Sequence, residues 1–190
     1  RPHLLGMSAT PIPRTLSLTI YGDLDITTLK ILPEGRQPIT TSLATNEVAK
    51  NHTYELVRQQ IAHGKQAFVV CPLIEPSDSI ESASALEELK TLQQGEFKNL
   101  RVGLLHGRMK LAEKQDVMER VRNKQIDVLV ATPVIEVGMD IPNATVMIIM
   151  SANRFGLAQL HQLRGRVGRG KDESYCILMA NSKDDLANER

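Results

Sequence analysis

Apolar residues gather in six short runs, at 39–44, 67–72, 101–105, 126–131, 144–150 and 174–179, separated by segments with helical periodicity. The runs are short and rich in Val, Ile and Leu, the pattern of strands buried on both faces. Asn46 is placed to cap a helix that carries Ala49, Thr53, Leu56, Val57 and Gln60 on one side and stops near Gly64. Ser79 is placed to cap a second, with Ala85, Leu86, Leu89 and Leu92 facing inward. A third runs from about Lys110 to Arg122 and packs through the stem of Lys114, Val117, Met118 and Val121. A fourth runs from Leu157 to about Val167. Strands alternating with helices predict right-handed βαβ units, hence an α/β fold of three layers with a parallel sheet between helices.

The first 37 residues break this rhythm. They offer a strand ending at 4–8, a proline-led helix at 13–21 and an extended piece, then Pro33, Gly35 and Pro38. We read 1–37 as the tail of a preceding domain plus a linker, 38–182 as the α/β domain and 183–190 as the start of a further element. The chain opens at Arg1 inside what reads as a motif, so a fragment of a longer protein is expected.

Composition narrows the function. The net charge is only +1, so any nucleic-acid contact has to come from local patches. Aromatic residues make up 3% with no tryptophan, which argues against holding single strands mainly by base stacking. Cys71 and Cys176 sit in apolar runs without a C-x-x-C partner, which predicts free thiols in a reducing compartment. No apolar run reaches membrane-spanning length, and no histidine pair offers metal spacing.

The stretch Gln159 to Gly170 holds Gln162, Arg164, Arg166 and Arg169 among glycines, with no acidic residue between them. Guanidinium groups stay charged and fork onto phosphate oxygens, so the array suits a triphosphate whose charge grows during hydrolysis. Arg166 and Arg169 stand three apart and, if helical, project from one face. Gly165 to Asp172 nearly spells a P-loop, but Asp172 replaces the magnesium-binding hydroxyl and the stretch follows a helix pattern. No GxGxxG follows a strand either. Arginines without a phosphate cradle point to a domain that completes a nucleotide site built on another domain.

Four blocks carry a resemblance: Met7-Ser8-Ala9-Thr10-Pro11-Ile12-Pro13-Arg14-Thr15, Leu105-His106-Gly107-Arg108-Met109, Val134 through Ala144, and Phe155-Gly156-Leu157 through Gly170. In this order they resemble the later motifs of superfamily 2 helicases, specifically the RecG family of branched-DNA helicases. Tyr21-Gly22-Asp23-Leu24-Asp25 and Phe68 through Glu75 add to the likeness. It implies the second RecA-like lobe of an ATP-dependent motor, preceded by a tail of the first lobe. ATP and Mg2+ would be held mainly by that first lobe. The further implications are branched double-stranded DNA as partner, a monomer, no membrane, and a bacterial cytoplasmic, nucleoid-associated setting.

The same resemblance assigns roles. Gln162 would sense the γ-phosphate, and Arg166 and Arg169 would be arginine fingers. Gly138 would approach the γ-phosphate and Asp140 would accept from the ribose. Cys71, Pro72, His106, Gly107 and Thr132 would touch the DNA backbone, positioning it without reading sequence. Ser8 and Thr10 would couple hydrolysis to lobe movement. Taken alone, Cys71 reads as a core thiol, His106 as a capping histidine, Asp140 as a turn residue before proline, and Arg164 as a structural salt-bridge partner.

One position and one stretch depart from the RecG pattern: Pro133 stands where a second threonine is usual, and 150–154 lacks acidic residues. Other readings stay open: the motor lobe of a transcription-repair coupling factor, a Rossmann-like dinucleotide enzyme, or an interaction domain without motor activity.

Overall fold

The computed structural model describes residues 27, 37–72, 80–133 and 141–180, the side chains of 80–85 excepted. The chain divides into two units, Arg1–Glu34 and Gly35–Arg190, and every element described belongs to the second. The strand expected at 4–8, the helix at 13–21 and the Ser79 cap lie outside the described residues.

Six strands form one sheet: β1 (Ile39–Ala44), β2 (Gln66–Val70), β3 (Val102–Leu105), β4 (Val128–Ala131), β5 (Ala144–Ile149) and β6 (Ser174–Met179). Their order is β1-β6-β5-β2-β4-β3, and every pairing is parallel. Between them run α1 (Glu47–Ala62), α2 (Ile80–Gln94), α3 (Leu111–Arg122) and α4 (Leu157–Arg164), with a 3-10 turn at Ala152–Arg154.

Successive strand residues point to opposite faces, so one sequence of apolar strands builds two cores. Phe68, Val70, Leu129, Ala131, Met147 and Ile149 pack with Val117 and Val121 of α3 and Leu163 of α4. Ala67, Val69, Val128, Val130, Val146 and Ile148 pack with Val57 of α1 and Leu92 of α2. Each Val, Leu, Ile, Phe or Met among them contributes roughly 1.5–3 kcal/mol when fully buried. The result is the expected three-layer α/β sandwich.

Burial on both faces holds for β2, β4 and β5. It fails for β1, whose residues Thr40 to Leu43 are exposed; among the described strands β1 lies at the edge, paired with β6 alone. Helix α1 starts as expected, with Asn46 Oδ1 accepting from the Ala49 N–H at 2.8 Å, and the chain turns after it through Gly64 at φ 73°. Thr53 and Val57 form the buried centre of its inner face. In α2, Leu92 is buried and Leu89 half-buried, but Leu86 is exposed and not on the inner face as expected. Helix α4 is shorter than its periodicity suggests. It stops at Arg164, where Gly165 closes it, so Arg166 and Arg169 lie beyond the helix.

Candidate nucleic-acid edge and arginine turn

In a parallel sheet all carboxyl ends share one edge and all amino ends the other. The expected DNA-contacting residues meet at the carboxyl edge. Cys71 donates its N–H to Ala131 O at 2.9 Å, Thr132 to Leu105 O at 3.2 Å, and Met150 to Val70 O at 2.8 Å. The first residues past β5, β2, β4 and β3 therefore stand side by side in the order Met150, Cys71, Thr132, His106. At strand spacing of about 4.8 Å this row spans roughly 14 Å. Pro72 follows Cys71 and Gly107 follows His106, so all five candidates occupy one rim.

The row is not uniformly accessible. Cys71 is buried, and burial followed by the nearby Glu88 charge pushes its thiol up to about 12. Its side chain behaves as core and its N–H is taken up by Ala131 O, so Cys71 shapes the rim. Cys176 is also buried and free, its thiol raised by burial to about 11 despite the Arg164 charge. Thr132 has no exposed surface, and its hydroxyl has no hydrogen-bond partner among the described residues. Such a group costs about 1–3 kcal/mol when left unsatisfied. His106 and Gly107 are half-buried.

Lys114 was legible in the sequence only as a packing stem. Its ammonium reaches back from α3 and donates to Gly107 O at 2.6 Å, fixing the turn between β3 and α3. The same turn is closed by the Glu113 carboxylate, which accepts from the Lys110 N–H at 2.8 Å. The Lys114 link has no signature in spacing, whereas Glu113 three residues after Lys110 has the spacing of a capping box.

The arginines lie at the opposite edge. A crossover between parallel strands β5 and β6 must return to the amino end, and α4 makes that return. Gln162 is half-buried on α4, Arg166 is half-buried after it, and Arg169 is exposed, its Nε donating to Gly165 O at 3.5 Å. Arg164 forms no salt bridge with described residues; its guanidinium approaches His161 Nδ1 at 3.3 Å. Helical spacing of Arg166 and Arg169 is thus replaced by a turn. Val167 is fully buried, and Gly168 adopts φ 69° where a Cβ would stand 2.8 Å from Ile39 Cγ1. That close approach to β1 needs a glycine.

The turn is tethered to its surroundings. Lys65 pairs with Asp172, and a Cβ on Gly170 would stand 3.0 Å from Pro142 O. Pro142 ends the Gly138-x-Asp140-x-Pro142 block, so the described end of that block packs against the arginine turn. Gly138 and Asp140 themselves, like Ser8 and Thr10, lie outside the described residues. Beneath the turn, buried Gln66 donates through Nε2 to Val121 O and Ile126 O, both at 2.7 Å, and Asn143 donates to Gln66 Oε1 at 3.2 Å. Among the described residues no group of three or more His, Cys, Asp or Glu could hold a metal ion, and no helix is long and apolar enough to cross a membrane.

A parallel sheet with a polar carboxyl rim and an arginine turn on its opposite edge defines a RecA-like helicase lobe, the fold shared with helicase structures. The chain matches the helicase conserved C-terminal domain over residues 49–171, and it belongs to that family. It is 52% identical over 189 residues to the ATP-dependent DNA helicase RecG of Synechocystis sp., covering 100% of this chain and 23% of the relative. It is 46% identical over 192 residues to the protein of the same name from Staphylococcus epidermidis, covering 99% of this chain and 27% of that one. The chain thus spans about a quarter of the length of these curated relatives. A structure of RecG bound to a three-way DNA junction matches with TM-score 0.75 and 47% identity, over 97% of this chain and 24% of that one. Saccharomyces cerevisiae Dbp5 bound to RNA and ADP BeF3 shares the fold at TM-score 0.60 and 19% identity, over 95% of this chain and 45% of that one. The RecG resemblance drawn from the motifs is borne out.

Proposed function

We propose that this chain is the second motor lobe of an ATP-dependent DNA helicase that remodels branched DNA, such as stalled forks and Holliday junctions, in recombination and repair. Residues 38–182 are the lobe, 1–37 the tail of the first lobe with its linker, and 183–190 the start of an extension. Arg166 and Arg169 act as fingers on ATP held with Mg2+ by the first lobe, and Gln162 senses the γ-phosphate. Gly138 and Asp140 meet phosphate and ribose, while Ser8 and Thr10 couple the lobes. Cys71 and Pro72, with His106, Gly107 and Thr132, line the path of the DNA backbone. The working unit is a monomer in the bacterial cytoplasm, at the nucleoid.

The observation that carries this reading is the rim Cys71, Thr132, His106, where candidates from separate segments of sequence meet on one edge. The names of the relatives support the choice of substrate. A transcription-repair coupling motor would share the first and last motif blocks, but the likeness to RecG extends along the whole chain.

The chemistry divides between lobes. Guanidinium groups stabilise charge on the transferring phosphoryl group only when the cleft closes, so hydrolysis waits for both ligands. The polypeptide alone therefore turns over no ATP above background. Robust hydrolysis by purified residues 1–190, with or without DNA, contradicts the two-lobe assignment.

A further inference from the structure

The carboxyl edge carries a charge pattern that the net charge of +1 conceals. Its described loop residues are 45–46, 71–72, 106–110, 132–133, 150–156 and 180, and they include Arg108, Lys110 and Arg154 but no Asp or Glu. Further along the same loops the sequence holds Glu75, Asp78, Glu136 and Asp140, all outside the described residues, and at the helix starts Glu47 pairs with Lys50 and Glu113 accepts from the Lys110 N–H. Arg108, Lys110 and Arg154 are all exposed, and cations so placed suit a polyphosphate chain.

Within this rim, Arg154 belongs to a segment that no candidate site included. Ser151 takes a left-handed conformation at φ 47° and turns the chain out of β5 into the 3-10 turn. Ala152 and Phe155 are buried in the α3 and α4 core, while Asn153 and Arg154 between them are exposed. Arg154 donates its N–H to Ser151 O at 2.9 Å and Phe155 its own to Ala152 O at 3.1 Å, so a rigid turn holds the pair outward. The Arg154 side chain has no ion pair among the described residues. The turn follows β5, the neighbour of β2, and so continues the row that starts at Met150 and Cys71.

We infer that Arg154, presented by the Ser151–Phe155 turn, is a DNA-phosphate contact that extends the binding rim from β3, β4 and β2 across to β5. This rests on the motor reading above. The guanidinium supplies charge and two-pronged donation to phosphate oxygens, and Asn153 adds a neutral donor for the same strand. The contact positions the backbone and carries no base preference.

The test is the salt dependence of binding by the full-length protein carrying this lobe, read by anisotropy of a labelled three-way junction between about 50 and 200 mM salt. Arg154→Ala is expected to weaken binding and to lower the slope of log K against log salt by about 1, equally for junctions of different sequence. Arg154→Lys keeps the charge and restores the slope. Arg122→Ala, which removes an exposed cation at the amino edge, leaves it unchanged. An unaltered affinity and slope for Arg154→Ala overturns the inference while leaving the motor reading intact. So does a loss confined to DNA-independent ATP hydrolysis, which would assign Arg154 to a protein surface. Absence of salt-sensitive DNA binding by the unsubstituted protein removes the motor reading and the inference together.

Discussion

The Lys114 ammonium donates to the carbonyl oxygen of Gly107 at 2.6 Å, tying the second turn of α3 to the loop that ends β3. A hydrogen bond from a charged donor is worth about 1.5–3 kcal/mol. Lys114→Met keeps the apolar stem and loses the donor. A stability loss of that order is expected in urea unfolding of the full-length protein, with weaker DNA binding as the loop loosens. Unchanged midpoint and affinity would mean the bond is idle.

Thr132 should respond in the opposite sense. Its buried hydroxyl lacks a partner among the described residues, so Thr132→Val removes a cost instead of a bond. Thermal unfolding is expected to stay level or shift upward, while DNA affinity falls because the hydroxyl serves the ligand. A clear destabilisation would show that the hydroxyl is already satisfied in the folded lobe.

Gly168 joins a left-handed backbone to a tight approach on Ile39. An added methyl meets both obstacles. Gly168→Ala is expected to cost about 1–3 kcal/mol, measured by chemical denaturation. It should also slow ATP hydrolysis by the intact motor, since the arginine turn must shift.

Much of this lobe was legible in the sequence, and the losses have physical causes. Strand positions came within a residue or two because a buried strand advertises itself by an apolar run. Strand order did not, since β2 and β5 pair through contacts no local pattern encodes. The helical reading of Arg166 and Arg169 failed because Gly165 and Gly168 outweigh the periodicity that precedes them. Leu86 misled for a related reason: its spacing fits the α2 stripe, yet the helix buries the Leu89 and Leu92 end. The rim itself was found as separate motifs, and only the sheet brings them to one edge. The Lys114 ammonium and the Arg154 guanidinium were not legible as contacts, because neither a reach across a loop nor an outward turn is a spacing.

Acid should probe the amino edge through Asp127. Burial by itself would raise its pKa, but hydrogen bonds from the Arg101 guanidinium and backbone, and the Arg101 charge, outweigh it and hold the carboxyl below its ordinary value. The bonds are Arg101 N to Asp127 Oδ2 at 2.8 Å and Nε to the same oxygen at 3.0 Å. The unfolded chain then binds this proton more readily than the folded one. The stabilisation is complete above the ordinary aspartate pKa of about 4 and is lost as pH falls through the lower folded value. Asp127→Asn should flatten that part of the stability profile measured by urea unfolding from neutral to acid pH. An unchanged acid limb would exclude Asp127 as its source.

The central claim is that this lobe lends its arginines to ATP held elsewhere. The most direct measurement is DNA-stimulated ATP turnover by the full-length protein carrying Arg166→Ala or Arg169→Ala, with junction binding measured alongside. The account predicts a fall in kcat of about 10³-fold or more, with DNA affinity retained. Turnover within a few-fold of the unsubstituted protein in both variants, with DNA bound, would contradict it.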